Sequence, residues 1–137
     1  MVISTLQEIL NYIPQRDPII MVNALVSVSQ KNIETMVTVV PNNMFVINKH
    51  IVSSYGVLEH IAQSYALAHS YINKDSGIGL IGRVKNLKVE MNAEILKPIK
   101  STITILHDMG STVLIKANAE QENKNILSCE MYLHFNN

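Results

Sequence analysis

Glu59 and Gln63 stand four positions apart in a stretch otherwise dominated by Leu, Ala, Ile and Tyr. In a helix that interval stacks two side chains one turn apart. A carboxyl flanked by Leu58, Ile61 and Ala62 has its ionised form disfavoured by desolvation. Its pKa then moves upward, which suits a proton donor near neutral pH. Gln63 can hydrogen-bond that carboxyl and orient it. The residues ahead of the helix include two further polar groups, His50 and Asn48. The imidazole of His50 titrates in the right range for a base, whereas Asn48 can only donate or accept hydrogen bonds. The bland alternative makes His50 a loop histidine without chemistry.

Other polar groups carry less. His60 and His69 fall on the same helix but off the Glu59 stripe, and His107 and His134 lie in or beside strands. None of them forms an i, i+4 or H-x-H pair of the kind that binds zinc, so no metal is expected. Arg83, Lys85 and Lys88 on one long strand could meet an acidic partner, but a solvated strand face explains them as well. Gly77, Gly79 and Gly82 precede a strand and not a helix, which excludes a phosphate loop. Cys129 is the sole cysteine. It excludes an internal disulfide and reads as a small buried hydrophobe.

The elements that must position these groups follow from pattern. Leu6, Ile9, Leu10 and Ile13 have helical spacing across Ile3 to Tyr12, with Ser4 or Thr5 as N-cap, and Pro14 and Pro18 end that segment. Ile20 to Ser29 and Ile33 to Val40 are predicted strands. Pro41-Asn42-Asn43 is a turn, followed by an irregular segment to Val52. Ser53 and Ser54 are both good N-caps for a helix over Tyr55 to Asn73, which contains no proline. Leu58, Ile61, Ala62, Tyr65, Ala68 and Ile72 share its broad apolar face. Glu59, Gln63, Ala66 and Ser70 form a narrow stripe beside it. After Gly77 about four strands follow: Gly79 to Met91, either one long strand or one broken by a bulge near Gly82, then Ser101 to His107, Thr112 to Ala119 and Ile126 to Phe135. Turns at Asp108-Met109-Gly110 and Glu122-Asn123-Lys124-Asn125 join the last three. A helix so apolar is most economically buried by wrapping consecutive antiparallel strands around it. The expectation is one α+β domain over residues 1–137 with the hot-dog fold.

Composition narrows the function classes. Hydrophobic residues make up 47% and charged residues 16% of the 137, with zero formal net charge. This is a core-forming chain without the basic patch that nucleic acid or an anionic membrane requires. No apolar run approaches the ~18 residues of a spanning helix. The absence of a basic n-region followed by an apolar core makes a cytoplasmic protein the expectation. So apolar a set of strands also favours an oligomer.

Two segments carry a family resemblance. Ile13-Pro14-Gln15-Arg16-Asp17-Pro18-Ile19-Ile20-Met21-Val22-Asn23 resembles the opening "LPHRxPFLLVD" of the 3-hydroxyacyl-ACP dehydratases of fatty-acid synthesis. Gly56-Val57-Leu58-Glu59-His60-Ile61-Ala62-Gln63 resembles the "VEAMAQ" of their central helix. Phe45-Val46-Ile47-Asn48-Lys49 followed by Val57 to Gln63 is more similar still to the "FVxNG…LIENIAQ" pattern of small dehydratase-like proteins associated with aryl-polyene or flexirubin-type pathways.

The resemblance implies reversible loss of water from a 3-hydroxyacyl thioester carried on the phosphopantetheine of ACP or CoA, with no other cofactor. It makes Glu59 the helix acid. Backbone N–H groups at the helix start, at Tyr55 and Gly56, would hold the thioester oxygen, with Asn48 and Gln63 nearby. It implies a homodimer, or a heterodimer with another hot-dog subunit. The family's loop histidine has no counterpart: its place falls near Phe45, leaving His50 as an atypical base.

Two rival readings stand beside this one. His50 precedes Glu59 by nine residues, the interval between the His-Gly-Gly turn and the helix carboxylate in many hot-dog acyl-CoA or acyl-ACP thioesterases. Here Ile51-Val52 replace the glycines. The second rival is a catalytically silent acyl-binding subunit that supports an active partner.

Overall fold

A computed structural model describes residues 1–74 and 79–135; Gly77 lies outside them. The first helix, α1, is shorter than its periodicity predicts, covering only Leu6–Ile9, with Thr5 as N-cap. Ile3 is drawn away from it into a β-bridge with Leu25. Nine strands are described: β1 (Ala24–Val28), β2 (Asn32–Val37), β3 (Val46–Ile47), β4 (Ile51–Val52), β5 (Gly79–Val89), β6 (Ala93–Glu94), β7 (Ile99–Asp108), β8 (Thr112–Gln121) and β9 (Lys124–Phe135). The long helix, α2, spans Ser54–Asn73.

Six strands form one antiparallel sheet in the order β1-β2-β7-β8-β9-β5, and β3, β4 and β6 form a small second sheet. The large sheet turns one face to α2, and its register explains how. Ile33, Ile103, Ala117 and Cys129 lie in one row across β2, β7, β8 and β9; Thr35, Ser101, Ala119 and Leu127 lie in the next. All eight are buried. Because strand side chains alternate, the intervening Glu34, Thr102 and Asn118 go to the outer face. Cys129 is the buried hydrophobe expected, and burial pushes its thiol up to about 11.

The helix is buried nearly all round, on the Gln63, Ala66 and Ser70 stripe as well as on the apolar face. Ile72 is the exception on that face, 52% exposed near the helix end. This sheet curled around one central helix is the hot-dog fold that the sequence predicts.

Three expectations change. Five strands follow α2, because Ala93–Glu94 adds a short one. The segment before the helix, read as irregular, holds the β3–β4 hairpin. The predicted strand from Ile20 starts only at Ala24, and the reason lies at the site. The bulge expected near Gly82 is present between Ile81 and Arg83, and a second falls between Lys85 and Lys88. At the β7–β8 turn Gly110 takes φ +87, and its N–H donates to the Asp108 carboxylate at 2.9 Å. A residue with a Cβ is strained there.

Candidate functional site

The site is built where the N-terminal half of α2 meets the chain from Pro18 to Met21. Residues Ile20 to Asn23 are apolar enough for a strand, yet most of the backbone groups of this strap bond side chains and loops and not a ladder. Pro18 O accepts from Met44 N–H at 2.9 Å, and Ile20 O from the buried Asn43 amide at 2.9 Å. Ile19 O accepts from Gln63 Nε2 at 2.8 Å, and Met21 N–H donates to Gln63 Oε1 at 2.7 Å. Met21 O faces His60 Nδ1 at 2.5 Å. Buried backbone groups must find partners somewhere, and here His60 and Gln63 on one turn of α2 and the Asn43–Met44 segment supply them.

Upstream, Arg16 fixes the approach to the strap. Its guanidinium donates to the carbonyls of Leu10, Ile13 and Gln15 at 2.7–3.1 Å.

Glu59 lies one turn before Gln63 and is partly buried. Gln63 Nε2 donates to Glu59 Oε2 at 3.3 Å. Burial raises the pKa of Glu59, and the Gln63 hydrogen bond works in the opposite direction. The result is a carboxyl held in one orientation and biased towards its protonated form, suited to giving a proton. His60 is fully buried, and desolvation pushes its pKa down to about 4, so at neutral pH the ring carries no charge.

The helix start is shaped by Phe45. Ser53 N–H donates to Phe45 O at 2.9 Å, and Ser53 Oγ caps the helix by accepting from Gly56 N–H at 3.1 Å. A Cβ on Gly56 would lie 2.5 Å from the Phe45 Cβ. Glycine here lets the β3 segment press against the first turn. The Gly56 N–H is therefore already engaged, whereas the N–H groups of Ser54 and Tyr55 donate to no acceptor among the described residues. The Tyr55 side chain is exposed, its ring 6.0 Å from that of Phe45.

Of the residues singled out in the sequence, the structure brings Glu59 and Gln63 together. It sets Tyr55 and Gly56 one turn before them. Asn48 sits at the tip of the β3–β4 hairpin, where it and Lys49 adopt φ of 50 and 68, and both are exposed. His50 follows on the same exposed turn. It makes no hydrogen bond or ion pair with Glu59, and the pKa of the neighbouring Glu94 carboxylate is held low by its hydrogen bond and ion pair with Lys97. On β5, Lys88 pairs with Glu90 at 3.2 Å, Lys85 lies over the Tyr132 ring, and Arg83 is exposed.

His60 is the site residue that sequence reasoning passed over. Its signal was a titratable ring inside an otherwise apolar helix, next to the acid. Among the described residues no three His, Cys, Asp or Glu side chains cluster as a metal site requires, and no helix is long and apolar enough to cross a membrane.

Comparison with known proteins gives the architecture relatives. The dehydratase heterocomplex ApeI:P from Xenorhabdus doucetiae matches with a TM-score of 0.82 at 13% identity, over 94% of this chain and 91% of that one. A hypothetical thioesterase from Streptococcus pneumoniae, solved with coenzyme A, matches with a TM-score of 0.62 at 9% identity, covering 82% and 84%. The PaaI protein from the phenylacetic acid degradation operon of E. coli matches with a TM-score of 0.63 at 10% identity, covering 81% of each chain. At such identities the likeness is one of fold. No curated protein sequence matches the chain. The family model for ApeP-like proteins, described as ApeP dehydratase, matches residues 7–93, a span that includes the strap, the β3–β4 hairpin and the whole of α2. The chain belongs to the ApeP-like dehydratase family.

Proposed function

We propose that this protein acts on acyl thioesters as a 3-hydroxyacyl dehydratase subunit in which Glu59 is the general acid. The observation that carries the reading is the carboxyl of Glu59, partly buried, raised in pKa and aimed by Gln63. In the reaction a base removes the proton from C2 of the acyl chain. Negative charge develops on the thioester oxygen, for which the free N–H groups at the start of α2 are suitable donors. The C3–O bond then breaks as Glu59 protonates the departing hydroxyl. The products are water, an enoyl thioester, a Glu59 carboxylate and a protonated base, and proton return resets the site. The acyl chain arrives on the phosphopantetheine of a carrier protein or CoA, and Arg83 and Lys85 are available for its phosphate.

The base is the half that this chain supplies least well. His50 is the candidate within the chain, and it is exposed and apart from Glu59. A second hot-dog subunit that brings a histidine to Glu59 completes the pair. Strand β5 gives such a subunit a place to add. Among the described residues it pairs only with β9, and Leu80, Leu87 and Val89 along it are about half exposed. An open apolar sheet edge is a template for a further strand. The heterocomplex formed by the Xenorhabdus protein is consistent with this arrangement.

Thioester hydrolysis is the second reading, favoured by the His50–Glu59 interval. It asks the carboxylate to be ionised, as base or nucleophile, and the upward shift of Glu59 runs against that. Mass spectrometry of a 3-hydroxyacyl carrier protein incubated with this protein and its hot-dog partner separates the two. Loss of one water from the acyl group is the expected product. Release of free acid with an unmodified acyl chain would make it a thioesterase.

A further inference from the structure

His60 takes no part in the proton transfer proposed above, yet it is the most deeply buried titratable group beside it. Its Nδ1 lies 2.5 Å from the carbonyl oxygen of Met21. Only an N–H donor holds that distance against a carbonyl, which fixes the neutral ring as the Nδ1–H tautomer. Nε2 is buried without a partner. The other polar group beside the ring is Ser64 Oγ, 3.5 Å from Nδ1, itself bonded by Thr35 Oγ1 at 2.6 Å. Among the described residues no charged side chain hydrogen-bonds or ion-pairs with the ring.

The N–H of the same Met21 donates to Gln63 Oε1. A carboxamide has one acceptor and two donor directions in a fixed plane. With its oxygen held by Met21 and its nitrogen by Ile19 O at 2.8 Å, the Gln63 amide has no freedom to turn. Its contact with Glu59 Oε2 at 3.3 Å follows from that geometry.

We infer that His60 is a positioning residue for Glu59: by holding the Met21 carbonyl it fixes the strap that fixes Gln63, whose amide orients the Glu59 carboxyl. Its consequence for turnover rests on the role proposed for Glu59; the positioning itself does not.

The test follows the titration of Glu59 by carboxyl 13C NMR, assigned with Glu59→Gln, in His60→Leu, His60→Asn, Gln63→Leu and the His60→Leu/Gln63→Leu double variant. His60→Leu is expected to move the Glu59 midpoint upward, as Gln63→Leu does, because the carboxylate loses its oriented donor. The double variant should move it no further than Gln63→Leu alone. His60→Asn, whose amide nitrogen reaches the place of Nδ1, should restore it. An unchanged midpoint in folded His60→Leu, shifts that add in the double variant, or no rescue by asparagine each overturns the inference. If His60→Leu does not fold, the imidazole 15N shifts of the unmodified protein decide. A neutral Nδ1–H ring at pH 7 supports the inference, and an Nε2–H ring overturns it. A shifted Glu59 titration with an unmoved pH profile of dehydration upholds the positioning role and removes Glu59 from the proton transfer.

Discussion

The burial of His60 makes stability depend on pH in a way that one substitution isolates. In the native state its pKa is pushed down to about 4, from 6.5 when free. Well above pH 6.5 the ring is neutral in both states and contributes no pH dependence. As the pH falls below 6.5 the unfolded chain takes up the proton and the native chain does not, so stability is lost progressively until about pH 4. A depression of about 2.5 units at about 1.36 kcal/mol per unit amounts to roughly 3 kcal/mol, of which about 2 is gone by pH 5. His60→Asn keeps a donor for the Met21 carbonyl but cannot titrate. Urea unfolding of both proteins followed by circular dichroism at pH 7.5, 6, 5 and 4.5 reads the effect. The difference between the two stabilities should shrink with falling pH, by about 2 kcal/mol at pH 5, while the m-values stay alike. Taking the difference cancels the carboxylates, including Glu59, whose raised pKa contributes in the opposite sense. A difference that stays flat from pH 7.5 to 4.5, or that grows in favour of the histidine protein, would refute the assignment of His60 as a buried neutral ring.

Two further substitutions probe the frame around the site. Gln63→Leu changes little volume but strands the Met21 N–H and the Ile19 carbonyl, and should cost about 2–4 kcal/mol in denaturant unfolding; a loss below about 1 kcal/mol would mean that the strap finds other partners. Gly56→Ala places a Cβ 2.5 Å from the Phe45 Cβ and should cost about 1–3 kcal/mol of stability in the same unfolding assay; equal stability of Gly56→Ala and the parent would show that the contact yields freely.

Much of this fold is legible in the sequence because single elements announce themselves locally. The long helix has Ser53 as its cap, no proline and apolar residues on most sides, and the strands from Ile99 to Phe135 alternate with period two. What was not legible depends on distant partners. Ile20 to Asn23 has the composition of a strand, but its backbone is satisfied by Asn43, His60 and Gln63, twenty to more than forty positions along the chain. The β3, β4 and β6 strands have two residues each, too few for any periodicity to register.

The site divides in the same way. Glu59 and Gln63 were readable because a four-residue interval in a helix is local. The role of His60 was not, since its partner is a backbone carbonyl 39 positions earlier. The chemistry of His50 and Asn48 is visible in the sequence, but their exposure is set by the two-strand hairpin, whose tip holds Asn48 and Lys49 at positive φ. Asparagine tolerates it better than most residues.

The most direct measurement of the central claim is the dehydration of a 3-hydroxyacyl carrier protein, with Glu59→Gln compared against the unaltered chain, each mixed with the hot-dog partner subunit. A glutamine keeps the shape and the Gln63 contact but has no proton to give to the leaving hydroxyl. Dehydration should fall by roughly 100-fold or more, the usual contribution of a positioned general acid, with the oligomer intact. Undiminished dehydration by the Glu59→Gln assembly would contradict the account and leave the acid of this site elsewhere.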